Sequence, residues 1–216
     1  KKIMVRDGVV RESDCQDCRF DCDEDFCVDT NLGGFNLVSR HRYFERRCQI
    51  YEVFKELFTA DCAVITLGLI EAWFDREKGV YIQEAPRGKF FAKQAQRFAF
   101  EALNYEQCRD YIQRSVDTVR EVNQNAKILI TTSPVPLSRT FTTDDVITAN
   151  SHSKAVLRAV AGDIAAANVA IDYFPSYESV SGTKTWQIWS DDLLHVSDAF
   201  VGKVVSRLTN IYCPGI

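Results

Sequence analysis

Two groups of side chains in this sequence have the types and the spacing to do chemistry. The first is Ser190-Asp191-Asp192-Leu193-Leu194-His195, near the carboxyl end of the chain. An aspartate three residues before a histidine can turn its carboxylate onto the ring. It then fixes the tautomer and steadies the imidazolium while the other ring nitrogen takes a proton. The chain has three histidines, His41, His152 and His195, and His195 alone follows the last strand region. Taken in isolation, an Asp-x-x-His pair is more often a cap or a surface contact than a catalytic pair. The second group is Cys15-x2-Cys18-x3-Cys22-x4-Cys27. Four thiolates can hold a structural zinc, and the first pair has knuckle spacing. A second pair set off by a proper loop is missing. The acids Asp14, Asp17, Asp21, Asp23, Glu24 and Asp25 oppose thiolate formation until a cation arrives. Zinc on Cys15, Cys18, Cys22 and Cys27, disulfides, and free thiols all stay open, with free thiols the simplest. Nothing else in the sequence calls for a cofactor.

The elements that position these groups come from one ordinary globular chain. It has 216 residues, 46% hydrophobic and 26% charged, enough for a sizeable core without metal or disulfide. The formal net charge of −4 gives no support to nucleic-acid or anionic-membrane binding. The longest clean apolar run, 63–70, contains a glycine and is too short to span a bilayer, and Lys1-Lys2-Ile3-Met4-Val5 has no signal-peptide core. Cys48, Cys62, Cys108 and Cys213 lie among apolar residues and read as buried or half-buried free thiols. The expectation is a cytoplasmic protein with a small-molecule or carbohydrate substrate, no nucleic-acid partner and no membrane insertion. Its oligomeric state is not legible. Lys1 is not an initiator methionine, which leaves room for chain upstream.

Residues 1–30 are acidic and cysteine-rich, and no helical or strand period survives across 11–29. They read as an irregular lead-in or insertion, with an α/β domain over 31–216. The spacing of apolar residues from Tyr43 to Phe58 predicts a helix, and Ala63 to Leu67 a strand buried on both faces. Glu71 to Arg97 is mixed, with a turn at Pro86-Arg87-Gly88, and Phe98 to Leu103 reads as a short edge strand. Asn104 is set to cap a helix over Tyr105 to Asn123 with Tyr111, Ile112, Val116, Val119 and Val122 as its apolar face. Strands follow at Lys127 to Thr132 and Val169 to Tyr173. A helix starting at Thr143 lies between them, and a closing helix spans Asp198 to Tyr212. This alternation argues for a parallel sheet covered by helices. Ligands in such sheets bind beyond the carboxyl ends of the strands. That singles out Gly68 to Trp73, Ser133 to Thr140, Tyr173 to Glu178 and the loop before the last helix.

Six short blocks there occur in a telling order: Gly33-Gly34-Phe35-Asn36; Thr66-Leu67-Gly68-Leu69-Ile70-Glu71-Ala72-Trp73; Thr132-Ser133-Pro134-Val135-Pro136-Leu137; the segment 149–158; Tyr173-Phe174-Pro175-Ser176-Tyr177-Glu178; and Asp192 to His195. Over roughly Gly33 to His195 the ordered set resembles the GSCFA family, a branch of the SGNH hydrolases. The resemblance implies a flavodoxin-like, doubly wound and mainly parallel sheet of about five strands, with helices on both faces. It implies a Ser-His-Asp esterase or O-acyltransferase acting on acylated carbohydrate or polysaccharide, with His195 as base and Asp192 as its orienter. It matches Gly34 and Gly68 to glycines of its oxyanion blocks, with Asn36 or a backbone N–H as the further donor; Glu71, Trp73 and Ser133, just past buried strands, join them in the expected oxyanion and substrate pocket. Two departures stand out. The family's Gly-Ser-Cys-Phe-Ala nucleophile block is missing from this sequence. Where the superfamily places Gly-x-Asn-Asp, this chain reads Gly68-Leu69-Ile70-Glu71. Either the nucleophile lies upstream, or the domain is a silent carbohydrate- or acyl-ligand-binding module.

Three further groups have plainer readings. The Ser133 hydroxyl is expected to satisfy a loop backbone group before Pro134. Lys154, with Ser151 and Ser153 in a helix's early turns, is expected to face solvent. Glu71 and Trp73 read equally well as a polar-substrate contact and as a helix-start acid with a core tryptophan.

Overall fold

A computed structural model describes residues 16–184, 188–192 and 195–213. In chain order its elements are β1 (Arg19–Asp21), β2 (Phe26–Asp29), β3 (Leu37–Ser39), α1 (Arg40–Phe54), β4 (Cys62–Leu67), β5 (Glu71–Asp75), β6 (Val80–Ile82), β7 (Phe98–Ala102), α2 (Tyr105–Val122), β8 (Lys127–Thr132), α3 (Val146–Ala166), β9 (Ile171–Phe174), α4 (Ser176–Ser181) and α5 (Asp198–Tyr212). The protein is α/β. It divides into two compact units, one built from the chain up to Ala60 together with Glu71–Leu103, the other from Asp61–Ile70 and the chain from Asn104 onward. Residues 30 and 31 both fall inside the first unit. Among the described residues no helix is long and apolar enough to cross a membrane.

The first unit holds two antiparallel sheets, ordered β1-β2-β3 and β6-β5-β7. The described part of 11–29, where no strand period is legible in the sequence, nevertheless forms strands. Phe20 pairs with Val28 and Asp21 with Cys27, joining β1 and β2. A turn closed by Asp23, whose Oδ1 accepts the Phe26 amide at 2.7 Å, makes the pairing local despite the acidic composition. The mixed segment from Glu71 likewise becomes β5 and β6, and the edge strand foreseen from Phe98 is β7. Phenylalanines hold this unit together. Phe20, Val28, Phe35, Ile82, Phe91 and Phe98 form one buried cluster, with the Phe20 and Phe91 rings 4.5 Å apart. Beside it the Arg97 guanidinium grips Asp75 in a two-point pair, Nε to Oδ1 at 2.7 Å and Nη2 to Oδ2 at 2.6 Å. Asp75 Oδ1 also accepts the Glu77 and Lys78 amides and so shapes the β5–β6 turn. α1 begins at its Ser39 cap and buries only Tyr43 and Arg47. Phe54 and Phe58, expected on its apolar face, are exposed.

The second unit holds the parallel sheet, ordered β4-β8-β9, with Leu67 opposite Thr132 and Thr131 opposite Phe174. β8 is central and buried from Ile128 to Thr132. β4 was expected to be buried on both faces, yet its exposure alternates and Val64 is 53% exposed. With β8 its only partner among the described residues, β4 is an edge strand whose second face is not covered. α2 starts at a full capping box between Asn104 and Gln107. It buries Cys108, Ile112, Val116 and Val119, while Tyr111 stays exposed. α3 starts later than Thr143, because the Asp145 carboxylate takes the Ile147 amide at 2.8 Å and caps the helix there.

Candidate active site at the carboxyl ends of the parallel strands

The loop before α5 is a short antiparallel turn. Trp189 and Val196 form a bridge, the Ser190 amide donates to the His195 carbonyl at 2.7 Å, and Ser197 donates to Ile188 at 2.7 Å. That closure brings Asp192 and His195 together. One Asp192 oxygen accepts the His195 amide at 2.9 Å and the other lies 2.5 Å from His195 Nδ1. The carboxylate thus orients the ring through two anchors, and an Nδ1–H facing it leaves Nε2 with its lone pair. The ring is 67% exposed, and Nε2 has no hydrogen-bond partner among the described residues. Leu193 and Leu194, between the two, lie outside the described residues.

The tips of β8 and β9 are tied to each other. Thr131 Oγ1 donates to the Phe174 carbonyl at 2.7 Å, and Ser176 Oγ donates to the Thr132 carbonyl at 2.8 Å. Arg158 lies 4.0 Å over the Tyr173 ring and pairs with Glu178, which also accepts the Tyr173 hydroxyl at 2.9 Å. Burial, with the Glu178 contact adding to it, pushes Tyr173 up to about 12. Past β8 a cavity of about 440 Å³ opens between Pro136, Leu137, Ile147, Asn150, Val180 and Trp189. Its largest aromatic wall, Trp189, is the residue bridged to Val196, the neighbour of His195.

The remaining sequence-selected residues have these places. Ser133 follows β8, and its hydroxyl accepts the Val135 amide at 3.2 Å. Gly68 follows β4 with open space beside it, since a Cβ there would meet nothing within 4 Å. Gly34, Asn36, Glu71 and Trp73 belong to the other unit. The Gly34 amide already donates to Glu84 at 2.9 Å, and Asn36 is exposed. Glu71 is a strand residue opposite Ala102, and Trp73 packs on Phe100 and the phenylalanine cluster. Among the cysteines, Cys18, Cys22 and Cys27 are free, and no group of three or more metal-ligating side chains occurs among the described residues. Cys15 lies outside them. Burial raises the Cys18 and Cys27 thiols and takes Cys22 to about 11. Cys108 is buried and Cys213 half-buried, but Cys48 and Cys62 are exposed.

Sequence reasoning misplaced one group near the strand tips. Lys154 was expected in solvent and is buried, with its ammonium donating to the Gly68 carbonyl at 2.7 Å. Its neighbour Ser153, also buried, accepts the Ile70 amide at 3.0 Å. The signal available was the helical spacing of Ala149, Ser153, Leu157 and Val160, which puts positions 153 and 154 on the buried face of α3.

No curated protein and no solved structure matches the chain. The family model described as GSCFA matches residues 10–208, and the chain belongs to the GSCFA family.

Proposed function

We propose that this chain carries the base half of an SGNH-type esterase or O-acyltransferase site for acylated carbohydrate or polysaccharide. The Asp192–His195 pair, anchored twice and set just before the last helix, is the observation that supports this reading. In the proposed reaction a serine hydroxyl attacks the ester carbonyl carbon and His195 Nε2 takes its proton. The Asp192 carboxylate stabilises the imidazolium. Collapse of the tetrahedral intermediate expels the sugar alcohol, which receives the proton from His195. Water or a second hydroxyl then attacks the acyl-serine by the same route. The serine is supplied upstream, on the first strand of a flavodoxin-like sheet of about five strands. The second edge of β4, without a strand partner among the described residues, suits that strand.

The test is a serine-directed fluorophosphonate probe applied to the full-length chain. Labelling that disappears in His195→Ala supports the reading. A folded full-length chain that takes no probe refutes it. One observation favours the second reading, a silent carbohydrate- or acyl-ligand-binding module: the exposed His195 ring makes no hydrogen bond to a hydroxyl among the described residues. Binding of an acetylated oligosaccharide without turnover or labelling would select that module.

A further inference from the structure

Lys154 is 1% exposed in α3, and its ammonium has one acceptor among the described residues, the Gly68 carbonyl oxygen at 2.7 Å. Burial lowers its proton affinity, and among the described residues no carboxylate forms an ion pair with it. An ammonium has three donors, and a buried cation without a counter-ion costs several kcal/mol. The fold keeps this charge where packing alone would favour an apolar side chain. Ser153, at 0% exposure, accepts the Ile70 amide at 3.0 Å. Two adjacent side chains of α3 therefore hold the segment Gly68 to Ile70 from both ends.

The Gly68 carbonyl and the Leu69 N–H are opposite ends of one planar trans peptide. With Lys154 on the carbonyl, the N–H is directed away from the ammonium. The Leu69 amide makes no hydrogen bond among the described residues, Leu69 is 48% exposed, and the space beside Gly68 is open. This peptide lies just past the carboxyl end of a parallel strand, where ligands meet such sheets. A cation on the carbonyl oxygen draws electron density from the amide and strengthens its N–H as a donor.

We propose that Lys154 is a positioning residue that fixes and polarises the Gly68–Leu69 peptide, so that the Leu69 N–H binds the oxyanion of the tetrahedral intermediate. It does the work of the asparagine side chain that the resemblance places in this block and this chain lacks. The inference rests on the esterase or acyltransferase reading. Burial lowers the ammonium to about 8, which leaves it mostly charged at neutral pH. Its positive field then adds to the donor just where negative charge develops.

The test compares the full-length chain with Lys154→Met and Lys154→Gln on 4-nitrophenyl acetate, reading kcat and KM separately. Lys154→Gln keeps a hydrogen-bonding reach toward Gly68 without the charge, and it carries the test if Lys154→Met does not fold. Both variants are expected to lose about 10- to 100-fold in kcat with KM within about two-fold, somewhat less than deleting a direct donor. An unchanged kcat in folded Lys154→Gln overturns the assignment, because a neutral tether then suffices. A change confined to KM overturns it as well. In both cases wild-type turnover leaves the esterase reading standing. A wild-type chain that neither cleaves the ester nor takes the fluorophosphonate overturns that reading, and this inference with it.

Discussion

The buried Lys154 ammonium makes stability depend on pH with a definite sign. Its proton affinity falls from the ordinary 10.5 to about 8 because α3 and the strand tips desolvate the charge. Below about pH 8 the folded and unfolded chains both hold the proton, and the folded one bears the cost of burying it. Between about 8 and 10.5 the unfolded chain keeps the proton and the folded chain has released it, so stability rises with pH. At about 1.36 kcal/mol per pH unit, the gain across that interval approaches about 3 kcal/mol. Lys154→Met removes the charge and the cost together, and loses a hydrogen bond to Gly68 of about 1 kcal/mol. The variant should therefore be about 2 kcal/mol more stable than wild type at pH 7, and about 1 kcal/mol less stable near pH 10.5. The assay is urea unfolding of both proteins at several pH values, reading the difference between them. The difference is needed because the raised thiols of Cys18, Cys22, Cys27, Cys62 and Cys108 lower stability as pH climbs past their ordinary range in both proteins. Tyr173 and Tyr212 act in the same sense at higher pH. A variant that is less stable than wild type at pH 7, by an amount that does not change with pH, would refute the reasoning. It would mean that an anion already balances the ammonium.

Other outcomes follow from contacts elsewhere. On the proposed esterase or acyltransferase reading, Asp192→Asn should lower kcat on the order of 10⁴-fold with KM nearly constant, because the wrong tautomer is then held at His195; steady-state kinetics on the full-length chain checks this. Asp75→Ala takes from the Arg97 guanidinium its two-point partner, leaving it Glu77, and leaves two turn amides without their acceptor, at a cost of about 3 kcal/mol. A chemical-denaturation curve of the variant would expose an error if stability dropped by less than about 1 kcal/mol. Asn104→Ala removes one half of the capping box of α2 and should cost about 1 kcal/mol, measured by thermal unfolding.

The parallel part of the fold was legible because its strands are apolar runs ended by Gly68, Ser133 and Pro175, and because helical spacing lies between them. The strand from Lys127 to Thr132 and the helix from Asp198 to Tyr212 have the bounds read from sequence. The antiparallel unit was hidden. Its strands are three to five residues long, carry acids and arginines, and draw their core from phenylalanines that no single strand pattern connects. Phe91, in the middle of the cluster, comes from a single helical turn, Lys89–Ala92, between two strands. The Asp192–His195 pairing could be anticipated because it is local in sequence. The Lys154–Gly68 contact joins residues 86 apart, so only the pairing of α3 with the strand tips makes it visible. The expectation of a solvent-facing lysine failed because the average habit of lysine was weighed above the apolar neighbours that share its helix face.

Glu71 and Ala102 stand opposite each other in one ladder. The excursion that runs from Glu71 to Leu103 therefore begins and ends at neighbouring points, while the chain of the other unit breaks off at Ile70 and resumes at Asn104. A short splice could join those two residues without severing β4, β8 or β9. Segments with adjacent ends are the ones that evolution and protein engineering insert, trim or exchange most readily. The three strands from 71 to 103 are in that sense a cassette whose turns can vary in length while the register of β4, β8 and β9 stays fixed, with Ile82, Phe91 and Phe98 held to the core they share with Phe20, Val28 and Phe35.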